Sequence, residues 1–349
     1  TIDSKAQDPA VLKSVADKYK IDLRTFLPSQ NNWLRLRRLL TNPSLLDGAS
    51  YVFDQLCHNS IFLKYLHNYQ PDCIFSFCSY SWPVFKLAQK VGIHSIFRSH
   101  NFESVFFGES LNLKQKFNPL NRLRIMAKYR GENLAVKYAD KIGTLPFEQV
   151  KTYKEWKPSG VEILTLLFLP ESLRQPSVHS QKDCLDLFYL GASYNVIFHL
   201  RGAELLINDI APRVLARAPG KFKFHICGSK LPVQLANQCR GDIIYEGYVP
   251  DLENFLQNMD AGVFPVMIGK TMKGKVFETL ARAFPTVIPN NCLGGYNLRD
   301  GVEVLLADSV NQFAEKILQL TDVKVRTKLS VNACNFAQKE FSEQKIVAV

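Results

Sequence analysis

The stretch GYVPDLENFLQNMDAGVFPVMIGKTMKGKVFETLARAFPTVIPNN, residues 247–291, decides how the rest of the chain is read. Two short apolar runs, 261–264 and 286–288, read as strands, and a helix is expected over 274–284. Between the first strand and that helix lies GKTMKGK, residues 269–275. Its glycines, Gly269 and Gly274, allow close backbone approach, and Lys270, Lys273 and Lys275 add mobile cations. The helix that follows opens with unpaired N–H groups and the positive end of its dipole, so the turn can cradle a diphosphate. It is not a P-loop, because Val276 stands where that motif requires Ser or Thr. Taken alone, the loop reads equally as a basic surface turn.

Lys275 and Glu278 are three residues apart and share one helical face. That spacing fits a plain salt bridge. It also fits a division of labour, with Lys275 neutralising phosphate while the two carboxylate oxygens of Glu278 accept hydrogen bonds from a ribose diol.

Outward from this stretch, short apolar runs alternate with amphipathic segments, the pattern of parallel sheets wrapped by helices. Strands are expected at 21–27, 73–78, 94–98, 141–145 and 162–166 in the first half. After the run LDLFYLG, further strands are expected at 223–227, 243–245 and 302–306. Helices are expected at 59–69, 83–91 and 120–138, then at 202–218, 232–239, 252–258 and 310–320. The segment LPESLRQPSVHSQK, 169–182, breaks the rhythm with two prolines and three serines and reads as a linker. The expected organisation is therefore a first α/β domain over 1–168, a second over 183–325, and a terminal helix over 326–349, two Rossmann-like doubly wound units facing a cleft. A chain of 349 residues is long enough for two such cores.

Composition narrows the class. With 43 Lys and Arg against 32 Asp and Glu, the net charge is +11, which points to an anionic partner. Lys114, Lys116, Arg122, Arg124, Lys128 and Arg130 crowd one acid-free stretch, and Arg35, Arg37 and Arg38 lie beside Trp33 and Leu34. Two such clusters in the first half tilt the reading toward an acceptor-side or membrane-surface role, with a solvated helix face as the plain alternative. The cations lack a recognisable nucleic-acid module, so no nucleic-acid partner is expected. None of the eight cysteines forms a CxxC pair, and they read as buried, reduced thiols of a cytosolic protein without a structural zinc. No run of about 18 apolar residues or basic-then-apolar leader stands out.

These stretches resemble the donor-binding half of GT-B glycosyltransferases, specifically glycosyltransferase family 4. GKVFETLARAFPTVI resembles the family's Lys-x-x-Glu helix and following strand, IIYEGYVPDLENFLQNMDAGVFP its strand–helix–strand run, and GGYNLRDGVEVLLADSVNQFAEKILQL its closing strand and helix. FYLGASYN and FHICGS resemble two glycine turns that border the nucleotide. The resemblance covers roughly 140–320.

It implies that Glu278 holds the ribose and Lys275 the phosphate, that Arg201, expected just before a helix, supplies a second phosphate cation, and that Gly228 and Tyr248 lie beside the base. It implies that His100, just past a strand end in SIFRSHNFES, faces the donor sugar, with Asn101 and Glu103 as weaker candidates. The implied co-substrate is a nucleotide-diphosphate sugar, used without metal or other cofactor. The implied reaction is transfer with retention to a glycan or lipid-linked acceptor, in the cytoplasm or peripherally at the inner membrane face. Lys270 stands where family members often carry a further carboxylate, and Phe284 replaces a usual glycine. The chain is also expected to lack the family's opening strand–glycine turn–helix, a unit of roughly 40–60 residues. Those departures motivate an alternative, a non-catalytic GT-B-shaped binding protein, while an epimerase is disfavoured by the lack of an acid–base pair.

Overall fold

The computed structural model describes residues 32–99, 102–144, 147–163, 180–267, 274–294 and 296–340, together with Asp17 and Lys20. The chain divides into two compact units, residues 1–144 with 148–163, and 145–147 with 164–349. The expected strand over 21–27 and most of the expected linker lie outside the described residues.

In the first unit the described strands form one parallel sheet in sequential order, β1 (Cys73–Phe77), β2 (His94–Ser99), β3 (Lys141–Thr144) and β4 (Val161–Ile163). Its core joins Phe97 of β2 and Ile142 of β3 to Trp82 and Phe85 on the helix Trp82–Val91, to Ala135 and Val136 on the helix Pro119–Tyr138, and to Tyr153 on the helix Phe147–Trp156. Helix ends are marked by the residues that satisfy orphan amides at the start and orphan carbonyls at the end. Asn59 accepts from Ile61 and Phe62 at the start of Ser60–Tyr69, and Gly92 closes Trp82–Val91 at φ +76°.

The second unit is a six-stranded parallel sheet in the order β10-β9-β8-β5-β6-β7. Its strands are β5 (Leu185–Ser193), β6 (Phe222–Ser229), β7 (Ile243–Gly247), β8 (Ala261–Val263), β9 (Thr286–Ile288) and β10 (Leu305–Leu306). β5 and β6 are buried along most of their length, as in parallel sheets covered by helices, although β6 carries the exposed Lys223 and also His225, which contacts Asp186 and Glu246. The chain runs outward from β5 through β6 to β7, then returns to the other side of β5 with β8. The order therefore reverses between β5 and β8, and ligands of such sheets bind beyond the carboxyl ends at this switch point.

Two expected elements differ. The helix expected over 202–218 begins earlier, as Ile197–Leu205, and continues through a π turn at Leu206–Ile210 into Ala211–Arg217. Pro212 has no N–H to give the carbonyl four residues back, and the widened turn just before it absorbs the lost bond. The strand expected over 302–306 shortens to β10, because Gly301 turns the chain at φ +69°. The cysteines are free, but only Cys57, Cys227, Cys292 and Cys334 are buried; Cys73 is exposed, which corrects the expectation of buried thiols throughout.

Candidate functional site

The helix Gly274–Ala281 follows β8 and so starts at the switch point. It seats Val276, Phe277, Leu280 and Ala281 in the core, burial that stabilises by roughly 2 kcal/mol for each large side chain. Gly262 of β8 permits this close approach: a Cβ there would stand 2.9 Å from the methyl of Thr279. The opposite face carries Lys275 and Glu278, both partly exposed.

Lys275 Nζ lies 2.8 Å from Glu278 Oε2, and Arg282 Nη1 lies 3.1 Å from Oε1 of the same carboxylate. Arg282 is almost buried, at 7 % side-chain exposure. Its Nε also donates to Glu253 Oε1 at 3.0 Å, reaching the helix Leu252–Leu256. The two acids and two cations thus alternate in one chain, Glu253–Arg282–Glu278–Lys275. This arrangement fixes the Glu278 carboxylate with one cation on each oxygen and leaves Lys275 at one end of the chain, partly exposed. Such a pair can open to give an ammonium to a phosphate and a carboxylate edge to vicinal hydroxyls.

The glycines near the carboxyl ends of β5 and β6 are covered by an aromatic residue. The Tyr194 ring folds over Gly191, where a Cβ would meet it at 2.5 Å, and beside Gly228 at φ +143°, where a Cβ would meet it at 2.9 Å. Its hydroxyl donates to the Cys227 carbonyl at 2.9 Å, and Tyr245 donates to the Gly228 carbonyl at 2.9 Å. Burial lifts the Tyr194 phenol well above its ordinary range. In this state the glycines make room for Tyr194.

The remaining site residues separate into those the structure places and those it does not describe. Gly274 is the exposed first residue of its helix, and Tyr248 is 72 % exposed after the positive-φ Gly247. Arg201 lies within the second turn of Ile197–Leu205, not ahead of the helix as expected, and pairs at 2.8 Å with Glu204. The helix starts earlier than expected, after Val196, which offers no side-chain cap. His100, Asn101, Gly269, Lys270 and the side chain of Arg35 lie outside the described residues. Phe284, the residue in place of a usual glycine, is buried and packs edge-on against Phe188 with ring centroids 5.0 Å apart.

In the first unit, Arg38 donates to Asp54 at 2.6 Å and Lys128 pairs with Asp47 at 2.9 Å, so these two cations serve the unit's own folding. Arg37, Lys114, Lys116, Arg122, Arg124 and Arg130 are exposed. Glu103 lies at the start of the helix Glu103–Ser110, just past β2, and burial raises its carboxyl. Glu132 accepts from the Ser104 amide at 2.9 Å and hydroxyl at 2.8 Å, and burial pushes it up to about 7 despite those bonds.

Sequence reasoning missed Arg282 and Tyr194. Arg282 is four residues beyond Glu278, so an i,i+4 pairing was available as a signal. Nothing local marks Tyr194 as the side chain that folds onto two glycines.

Residues 186–322 match the family model for glycosyl transferases group 1. No curated protein matches the sequence. Among solved structures, Anabaena HepE in complex with UDP-glucose superposes with a TM-score of 0.67 at 12 % identity, over 97 % of this chain and 88 % of that one. Sucrose-phosphate synthase from Thermosynechococcus elongatus gives 0.64 at 15 % identity, over 86 % and 76 %. WaaG, a glycosyltransferase involved in lipopolysaccharide biosynthesis, gives 0.60 at 13 % identity, over 82 % and 79 %. The switch-point helix with its Lys275–Glu278 pair falls inside the matched segment, and the paired Rossmann-like sheets are those of GT-B glycosyltransferases. Residues 186–322 therefore constitute a group 1 glycosyltransferase domain, in a chain with the GT-B fold.

Proposed function

We propose that this chain is a retaining glycosyltransferase that moves a sugar from a nucleotide-diphosphate donor to a lipid-linked or polysaccharide acceptor at the cytosolic face of a membrane. The observation that carries the donor half is the Lys275–Glu278 pair on the helix that opens at the switch point. Lys275, with the unpaired amides of that helix and Arg201, neutralises the leaving diphosphate, while Glu278 accepts from the ribose hydroxyls. The family resemblance assigns His100, which lies outside the described residues, to the donor sugar. In the reacting complex the bond from the anomeric carbon to the diphosphate oxygen breaks and the acceptor oxygen bonds to the same face of that carbon. The acceptor's proton passes to the departing diphosphate oxygen. The protein's contribution is positioning and stabilisation of the charge on the leaving group. The lysine and helix amides supply the positive charge, so this reading calls for no metal.

Because HepE structures hold UDP-glucose, and UDP with glucose, a uridine donor is the first to try. The basic first half supports an anionic membrane or acceptor, and free thiols fit a reducing cytosol. A second reading, a GT-B-shaped binding protein without turnover, draws support from Tyr194 over the glycine turns and from Glu278 with a cation on each oxygen.

The test is a thermal-shift panel of UDP, GDP and ADP with their sugars, followed by product analysis. One nucleotide series should raise the melting temperature of the wild type by mass action, and Glu278→Ala should lose most of that rise. An undiminished response in Glu278→Ala ends the ribose assignment, and donor binding without any sugar transfer or hydrolysis establishes the second reading.

A further inference from the structure

The outer surface of the first unit carries a feature that its own fold does not use. Between Ser110 and Gly131 the sequence contains six cations and no acid. Lys128 turns inward to Asp47, which leaves Lys114, Lys116, Arg122, Arg124 and Arg130 on the surface. The same segment exposes large apolar side chains: Phe117 at 81 %, Leu113 at 76 %, Met126 at 66 %, with Leu120, Leu123 and Tyr129 near half. Short local bonds hold this surface in shape. Asn112 and Gln115 form a reciprocal cap on Leu113–Lys116, Asn118 accepts from Leu120 to start Pro119–Tyr138, and Asn121 donates back to the Gln115 carbonyl at 3.0 Å.

Beside the cations lies an apolar groove of about 720 Å³. Its walls include Pro43, Leu46, Val105, Leu123 and Met126, and Arg130 with Asn133 gives it a polar margin. Leu123, Met126 and Arg130 follow one another at three- and four-residue spacing, so a single helical stripe carries the groove wall and a cation at its edge. A contiguous exposed apolar patch of this kind marks an interaction site in a water-soluble fold. Its lining is mostly aliphatic, which suits hydrocarbon better than the stacked bases a nucleic acid would bring. Arg130 at its margin and the other cations of the same acid-free segment suit anionic headgroups.

We propose that this face docks on an anionic lipid bilayer, with one hydrocarbon chain of a membrane lipid seated in the groove and its headgroup phosphate met by Arg130, while Arg122 and Arg124 add charge along the same segment. The inference deepens the membrane clause of the proposed function and is independent of the donor site. Phe117, Leu113 and Leu120 enter the interface beside the seated chain, while Lys114 and Lys116 meet neighbouring headgroups. Among the described residues no helix is long and apolar enough to cross a membrane.

The test is co-sedimentation of the full chain with vesicles of phosphatidylcholine alone and with added phosphatidylglycerol, across a salt series. The bound fraction should be at least about tenfold higher on the anionic vesicles and should fall as salt rises. Leu123→Glu with Met126→Glu, both exposed positions, should lose about tenfold although every cation remains. Arg122→Gln with Arg124→Gln should lose a similar factor, and Met126→Leu should retain binding. Monomeric lysophosphatidylglycerol, below its micellar concentration, should bind more tightly in a long-chain than in a short-chain form, and the Leu123/Met126 double variant should erase that difference. Equal binding to neutral and anionic vesicles, wild-type binding by the double glutamate variant, or no vesicle binding at all, as a docking face for an acidic protein would give, overturns the proposal. The donor-induced thermal shift is read on the same variants. Its loss in the wild type would count against the donor reading, and its persistence beside failed vesicle binding against this one.

Discussion

The helix Gly274–Ala281 of the second unit, with Lys270 and Lys273 before it and Arg282 after it, and the outer face of Pro119–Tyr138 in the first both carry several cations by sequence, yet the fold treats them in opposite ways. In the second unit, acids interleave with cations along one connected chain, from Glu253 through Arg282 and Glu278 to Lys275. In the first unit three acids beside the basic segment are engaged within the fold. Asp47 takes Lys128, Glu132 caps the helix Glu103–Ser110, and Glu103 is largely buried, so the outward cations stand without acid neighbours on their own segment. The lesson is that a count of basic residues says little about available charge. What decides it is where the acids of the same unit point. An interleaved chain holds a site in shape for a specific ligand, whereas an unneutralised face offers a diffuse field to an extended anionic surface.

The most severe way to break this contrast is to remove the cation that links the acids. Arg282→Ala deletes a nearly buried guanidinium that bridges Glu253 and Glu278. Because its partners are themselves partly exposed, the cost is expected at about 3 kcal/mol, the low end for breaking a buried pair. For a unit of this size that lowers the melting temperature by roughly 6–12 °C. If Arg282→Ala melts with the wild type, the interleaved chain is a surface ornament and the contrast fails.

A second test sharpens the first-unit half. Glu132 carries a folded-state value of about 7 against an ordinary 4.5, set first by burial and then by the nearby Glu103, with the Ser104 bonds pulling the other way. A carboxyl raised on folding binds more protons in the native state than in the unfolded one across that window. Stability therefore falls as pH rises from about 4.5 to about 7, and the loss is complete above it. Glu132→Gln removes the titrating group, so its stability should be flat over the same window and should exceed the wild type at alkaline pH by about 2 kcal/mol. The gain is less than the full shift implies, because the amide accepts only one of the two bonds that Ser104 now donates. Urea melts of both proteins across pH read this directly, and parallel pH profiles would mean that the carboxyl is not held neutral inside the unit.

These residues also show what the sequence could and could not disclose. The alternation of apolar runs and helical segments was enough to read two parallel α/β units, because strands covered on both faces are apolar without interruption. The Lys275–Glu278 pair was legible because an i,i+3 spacing on a helix fixes proximity. Arg282 was passed over although its spacing to Glu278 was equally plain, because its significance comes from burial and from Glu253, which a different helix brings alongside. Tyr194 was invisible for the same reason. Its ring meets Gly228 only because β5 and β6 are paired, 34 residues apart in sequence between these two positions. Arg201 falls inside a helix because that helix already starts at Ile197, where no side-chain cap announces it.

Arg201 supplies the smallest and most discriminating of the expected effects. Its guanidinium is 60 % exposed and pairs with Glu204 one helical turn on, an arrangement worth a few tenths of a kcal/mol at most. Arg201→Ala should therefore melt within about 0.5 kcal/mol of the wild type, in contrast to Arg282→Ala. If Arg201 also swings to a bound diphosphate, the same substitution weakens donor binding, by less than the roughly tenfold expected of Lys275→Ala, because the arginine must first leave Glu204 and cross from the second turn of its helix. Titrating the donor by calorimetry on the two variants separates the cases. A wild-type affinity in Arg201→Ala assigns this cation to the helix surface alone, and leaves Lys275 and the amides of its helix as the second unit's charge for the phosphates.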